Sequence, residues 1–160
     1  MKLAIITDIH DNVWNLEKAI KSINADKDIG AVINCGDLRS PFVIKQLAAI
    51  DREQYLVFSA PDLGDNRLPE ACRKTGIEFF QDFGELEFEG KRIGFTHKER
   101  LARRLKGFDV VFYGHTHEYK AQKLDDGTLL VCCGEIMGRK MQPCYITYDP
   151  VTDEVNKINL

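Results

Sequence analysis

The chain reads as an α/β protein, two packed β-sheets with helices on their outer faces. Three observations predict this. The first apolar runs are continuous, as in strands buried on both faces, and they alternate with helical segments. The second half then switches to alternating apolar and polar residues around glycine-containing turns, the pattern of hairpins. No linker, low-complexity tract or repeat interrupts the chain, so residues 1–160 form a single domain.

Taken in order, "KLAIIT" is the first buried strand. Residues 13–25 carry Val13, Leu16, Ala19, Ile20 and Ile23 at helical spacing, with Asn12 placed to cap them. "GAVINCGD" is a second buried strand, and Pro41 opens a helix running to about Ile50, with Ser40 as its cap. "YLVFS" is the third strand of a βαβαβ run, which favours a parallel sheet with right-handed crossovers. "GELEFEGKRIGFTH" is a hairpin turning at Glu89-Gly90. "KERLARRLKG" is a short helix with Leu101, Ala102 and Leu105 inward and Gly107 as its stop. "FDVVFYGHTH" is a strand and loop, "AQKLDDGTLLVCC" a hairpin turning at Asp126-Gly127, and "CYITYDPVTDEVNKINL" a terminal pair joined by Asp149-Pro150.

Bulk properties exclude several classes. With 160 residues the chain is long enough to bury roughly two thirds of its unfolded surface. A net charge of −3 gives no case for nucleic acid or an anionic membrane as partner. The N-terminal apolar run is too short for a signal peptide, and no window approaches a membrane span. Cysteines 35, 72, 132, 133 and 144 are odd in number and lack C-x-x-C spacing, so reduced, buried thiols in a cytoplasmic protein are expected. A homo-oligomer is compatible with all of this.

All four histidines, His10, His97, His115 and His117, fall just past predicted strands. Asp8 stands two residues before His10, and Asp37 follows Gly36 at another strand end. In extended backbone, residues two apart project to the same side, so Asp8 with His10 and His115 with His117 can each aim at one site. Open α/β sheets bind ligands at the carboxyl ends of their strands. Two carboxylates and four imidazoles there make a mixed nitrogen and oxygen site suited to Mn, Fe, Co, Ni or Zn. No Gly-x-x-x-x-Gly-Lys-Ser/Thr loop or Gly-x-Ser-x-Gly elbow argues for NTPase or serine-hydrolase chemistry.

In this order, Asp8-Ile9-His10, Gly36-Asp37, a lone His97 and Gly114-His115-Thr116-His117 resemble the calcineurin-like metallophosphoesterase family, across nearly the whole chain. The short length is similar to its small prokaryotic phosphodiesterase subgroup. The resemblance implies an αββα sandwich of two mixed sheets flanked by helices, with two divalent metal ions between the sheet ends. It implies Asp8, His10, Asp37 and His117 as ligands of the first ion and His97 and His115 as ligands of the second, Asp37 bridging. The implied substrate is a phosphate ester, with Asp37, His97 and His115 catalytic and a hydroxide held between the metals attacking phosphorus. Asn12 and Arg139 would contact substrate, and Arg39 and Arg67 are further candidates.

The chain departs from the family pattern at Ser59-Ala60-Pro61-Asp62. Ala60 stands where the family's Asn ligates the second metal, and Pro61 stands where a histidine can assist the leaving group. A weakened second metal is the expectation, since Asp37, His97 and His115 remain. Asp62, Asp65 and Asn66 are near enough in sequence to substitute, although a loop carboxylate ordinarily faces solvent. Asp11, Lys98 and "CCGE" (132–135) replace the family's usual residues too. Lys98, Arg100, Arg103, Arg104 and Lys106 read as a solvated basic face. The competing reading is a catalytically degenerate member that serves as a protein-binding scaffold, similar to the retromer subunit of this fold.

Overall fold

Continuous apolar runs become central strands because both of their faces are covered. The computed structural model describes residues 1–160. Strands β1 (Lys2–Ile6), β2 (Ile29–Asn34) and β3 (Glu53–Val57) pair in parallel, with Ile5 opposite Ile33 and Ile33 opposite Tyr55. Helices α1 (Val13–Ala25) and α2 (Pro41–Leu47) form the crossovers. Asn12 caps α1 as its position predicts, its side chain accepting from Asn15 N at 3.2 Å. Helix α2 ends three residues before Ile50. Ser40 does not cap it with its side chain, because its hydroxyl donates to Asp11 Oδ1 at 2.7 Å.

Three elements over residues 60–80 were not read from the sequence: α3 (Ala60–Leu63), α4 (Arg67–Thr75) and β4 (Glu78–Phe80). Helix α4 buries only Leu68 and Cys72, too sparse a stripe to stand out, and β4 has three residues. The usable signal was Gly76, which ends α4 in a left-handed conformation at φ 77°.

The second half supplies β5 (Phe83–Phe88), β6 (Lys91–Thr96), α5 (Glu99–Ala102), β7 (Val110–Tyr113), β8 (Tyr119–Lys123), β9 (Leu129–Cys133), β10 (Cys144–Asp149) and β11 (Glu154–Asn159). The three predicted hairpins form, with Phe88 opposite Lys91, Lys123 opposite Leu129 and Asp149 opposite Glu154. Helix α5 is a single turn, shorter than its pattern suggests. The terminal hairpin crosses back to the first sheet, where β10 runs antiparallel to β1. The result is a six-stranded sheet, β11-β10-β1-β2-β3-β4, and a five-stranded sheet, β5-β6-β7-β9-β8, both mixed.

Three cores define the layers. Leu16, Ile20, Ile23, Val43, Ile44 and Leu68 pack helices on the outer face of the first sheet. Leu3, Ile5, Ile33 and Val57 meet Ile93, Phe95, Phe112 and Val131 between the sheets. Ala102, Phe108, Val111 and Leu130 cover the outer face of the second sheet. This is the αββα sandwich. Phe95 and Phe112 are wholly buried, and truncating either to Ala would cost about 3–5 kcal/mol. They anchor β6 and β7, whose carboxyl ends deliver His97 and His115. All five cysteines are free and buried.

Candidate metal centre

Each candidate ligand sits in the loop just past a strand, and the loops are bent sharply. Asp8, His10, Asp37, His115 and His117 all have positive φ, from 46° to 74°. The two spaced pairs, Asp8 with His10 and His115 with His117, are therefore not on extended backbone. Left-handed turns, not strand alternation, aim these side chains, at a cost of order 1–3 kcal/mol each that the surrounding contacts must offset. Two glycines allow the crowding. A Cβ on Gly114 would lie 2.0 Å from Thr7 Oγ1 and 2.5 Å from Asp8 Oδ2. At Gly36, where φ is 94°, a Cβ would lie 3.0–3.2 Å from Val57 O, Ser59 N and His97 Nδ1.

The donor atoms converge in two groups that share one carboxylate. Asp8, His10, Asp37 and His117 offer one atom each within 4.8 Å of one another, and so do Asp37, His97 and His115. His10 Nε2 lies 3.2 Å from Asp37 Oδ2 and 3.6 Å from Asp8 Oδ1. His117 Nε2 is 3.3 Å from Asp8 Oδ1, and His97 Nε2 is 3.6 Å from Asp37 Oδ2 and 3.1 Å from His115 Nδ1.

The contacts behind these residues fix their orientation. Asp8 Oδ2 accepts from Thr7 Oγ1 at 2.7 Å and from His115 N at 2.9 Å, which leaves Oδ1 facing the group. His97 Nδ1 lies 2.8 Å from Cys35 O, so that nitrogen carries the proton and Nε2 presents its lone pair. His117 Nδ1 lies 2.6 Å from Glu135 Oε2 and is protonated for the same reason. Glu135 is fully buried, with Oε1 accepting from the backbone N–H groups of Lys140 and Met141. Burial pushes its carboxyl up, but the His117 bond and the backbone donors outweigh this and hold it below the ordinary value.

These donors fit a cation. With Nδ1 protonated, the His117 Nε2 lone pair faces the Asp8 Oδ1 lone pairs, acceptor against acceptor, until a positive charge lies between them. Asp8 Oδ1, Asp37 Oδ1 and His10 Nε2 are buried without a hydrogen-bond partner. Two imidazoles backed by an oxygen acceptor, with carboxylates beside them, are the arrangement that metal-binding histidines adopt.

The electrostatics agree. The Asp37 carboxylate, then that of Asp8, pushes His10 up to about 9 against the effect of burial. Burial raises Asp37, but the neighbouring His10 and Ser59 prevail and hold it well below the usual carboxylate range. His115 is lowered by burial and by His97. Arg39 Nε lies 3.1 Å from His10 Nδ1, a contact that needs a lone pair on that nitrogen. The carboxylates favour the imidazolium, which has none, so we give Arg39 no part in holding the ring.

Asp62 is the residue whose role the sequence reading missed. It is not a solvent-facing loop carboxylate but fully buried. Oδ2 accepts from Asp37 N at 2.9 Å, Ser59 N at 3.0 Å and Ser59 Oγ at 2.8 Å. Oδ1 accepts from Leu38 N at 3.1 Å and Arg39 N at 3.0 Å. Both oxygens are thus committed to holding the Asp37 loop, and Asp62 does not replace a missing ligand. The pattern Ser59-x-x-Asp62 was its signal, since such a carboxylate reaches back to the preceding backbone N–H. Asp65 is bound to Arg67 at 2.7 Å, and Asn66 is exposed. Asn12 is engaged at both ends, its Nδ2 donating to Met137 O at 2.9 Å. Arg139 is exposed in the loop after Glu135.

Comparison with known proteins identifies the family and the fold. Residues 1–153 match the family model of the calcineurin-like phosphoesterase superfamily domain. Phosphodiesterase MJ0936 of Methanocaldococcus jannaschii is 33% identical over 147 residues, covering 86% of this chain and 88% of the relative. A solved archaeal phosphodiesterase superposes with a TM-score of 0.88 at 31% identity, covering both chains in full. Vps29 of Entamoeba histolytica, solved with Zn²⁺, shares the fold at a TM-score of 0.67 and 16% identity, covering 100% of this chain and 98% of that one. The chain belongs to the calcineurin-like phosphoesterase superfamily, with the α/β sandwich of that family and the enzyme class of a phosphoester hydrolase.

Proposed function

We propose that the protein is a metal-dependent phosphodiesterase with two unequal cation sites. The observation that carries this is the pair of donor groups meeting at Asp37, with buried, unpartnered atoms on Asp8, His10 and Asp37. Asp8, His10, Asp37 and His117 would hold the first divalent cation. Asp37, His97 and His115 would hold the second more weakly, because Ala60 contributes no donor. Mn, Zn, Fe, Ni and Co all suit this donor set. Bound there, divalent cations supply Lewis acidity towards a phosphoryl group and lower the pKa of water.

The chain's own contribution is positional. Thr7 and His115 N turn the free oxygen of Asp8 inward, Glu135 and Cys35 O fix the tautomers of His117 and His97, and Asp62 fixes the loop that carries Asp37. Pro61 carries no proton to a departing oxygen, so the reading favours esters whose leaving groups are already weak bases. The test is hydrolysis of bis(p-nitrophenyl) phosphate with added Mn²⁺ by wild type and Asp37→Asn. Turnover lost in the variant supports the reading, and equal inertness of both proteins overturns it. The scaffold alternative draws on Trp14 and Phe42, 73% and 56% exposed on α1 and α2, and would stand on that second outcome. We place the protein in the cytoplasm; no helix is long and apolar enough to cross a membrane.

A further inference from the structure

A cavity of about 240 Å³ opens beside the weaker donor group. Its walls include Ser59, Ala60 and Leu63 on one side and His97, Lys98, Arg100 and Arg104 on the other. His97 belongs to both the cavity wall and the donor group, so a ligand in the cavity lies against the reacting centre. Ala60 lines the cavity and offers it no donor atom.

The charge in the cavity is unbalanced. On the same segment Arg103 is paired with Glu99 at 2.6 Å and Lys106 with Asp126. Lys98, Arg100 and Arg104 form no ion pair, and Asp82 is the one carboxylate in the lining. Three cations against one carboxylate make a receptor for an anion, and each planar guanidinium group can donate two N–H bonds to two oxygens of a phosphate. The solvated basic face of the sequence reading therefore borders a pocket that shares a wall with the candidate centre.

Two needs of the site then coincide. With Pro61 in place of a proton donor, the departing oxygen must leave as a stable anion. The cavity, which shares His97 with the donor group, is lined to receive negative charge. We infer that the cavity binds a phosphoryl group on the leaving side of the substrate, so that the substrate class is a disubstituted pyrophosphate. This rests on the phosphoesterase reading and narrows it. In the step, a water oxygen bonds to one phosphorus as the bond from that phosphorus to the bridging oxygen breaks. The electron pair stays on the bridging oxygen, which departs as part of a phosphate monoester. The attacked phosphorus leaves as a second monoester, and the protons of the water pass to solvent. No acid is needed on the leaving side, and Lys98, Arg100 and Arg104 offset the charge that collects there.

The experiment compares two substrates in the presence of Mn²⁺: P1,P2-di(adenosine-5′) pyrophosphate and bis(p-nitrophenyl) phosphate, whose leaving group is a phenolate without a phosphoryl group. For wild type and for Arg100→Ala/Arg104→Ala, the ratio of kcat/KM for the pyrophosphate to that for the phosphodiester is measured. The ratio should fall at least tenfold in the double variant. An unchanged ratio, or a wild type that cleaves only the phosphodiester, overturns the inference. Binding of methylenediphosphonate by calorimetry in the same buffer separates this failure from that of the phosphoesterase reading. If neither substrate turns over but the double variant binds the probe at least tenfold more weakly, the pocket stands and the hydrolase reading falls. Equal binding removes the pocket.

Discussion

The two donor groups share Asp37 but are built differently. The first draws four side chains, with Asp8 and His117 each held from behind, by Thr7 and by Glu135 respectively. The second draws three; its His115 is exposed, and it abuts the cavity at His97. One is supported from behind; the other opens on the cavity. The difference teaches that affinity and access are opposed in such a site: each protein donor added fixes a cation more firmly and removes space for ligand.

The largest effect should come from breaking the part the two groups share. Asp37→Asn removes a carboxylate charge from both, and phosphodiester hydrolysis should fall by at least ~100-fold, the scale expected when a group acting on transition-state charge is lost. Parallel metal analysis should show both cations depleted; loss of one alone would break the claim that Asp37 is shared. Next is Asp62→Ala, which strips the acceptor from four buried or half-buried backbone N–H groups and the Ser59 hydroxyl. At about 1–3 kcal/mol for each unsatisfied buried group, partly relieved by water, chemical denaturation should show a loss of at least about 3 kcal/mol. Asp62→Asn keeps one acceptor oxygen and should lose less.

Glu135→Gln sharpens the comparison by touching one side only. Losing the carboxylate behind a metal-binding histidine typically costs about 10–100-fold in affinity. Calorimetric titration with Mn²⁺ should therefore show the tighter event weakened and the weaker one unmoved. If both move together, the groups are not independently supported. The smallest expected effect is from Ala60→Asn, which adds a neutral oxygen donor at the open side. It should tighten the weaker event a few-fold, on the order of 1 kcal/mol. It should also slow substrates that fill the cavity relative to those that do not. An unchanged titration would show that position 60 cannot reach the second group.

Much of the fold was legible because its signals are local. The stripe of Leu16, Ala19, Ile20 and Ile23, the turns at Glu89-Gly90 and Asp126-Gly127, and the unbroken "KLAIIT" each specify an element within a few residues. Helix α4 and strand β4 were not legible, since three residues of strand or two buried positions in a helix say little without a neighbour to pack on. The candidate donors were legible as a set from their places after strands. Their backbone conformation was not: positive φ at Asp8, His10, Asp37, His115 and His117 is imposed by packing that no short stretch encodes.

The sequence "YLVFSAPDLGDN" shows where the division falls. By itself it determined that no ligand atom stands at position 60 and no proton donor at 61, because an alanine methyl and a proline ring have none to give. Only the tertiary structure decided that Asp62, one residue later, turns inward to five donors from two loops, and that the space left by Ala60 meets three unpaired cations from a segment some forty residues away. Chemical capacity belongs to a side chain, whereas burial, partners and field depend on what the fold brings beside it.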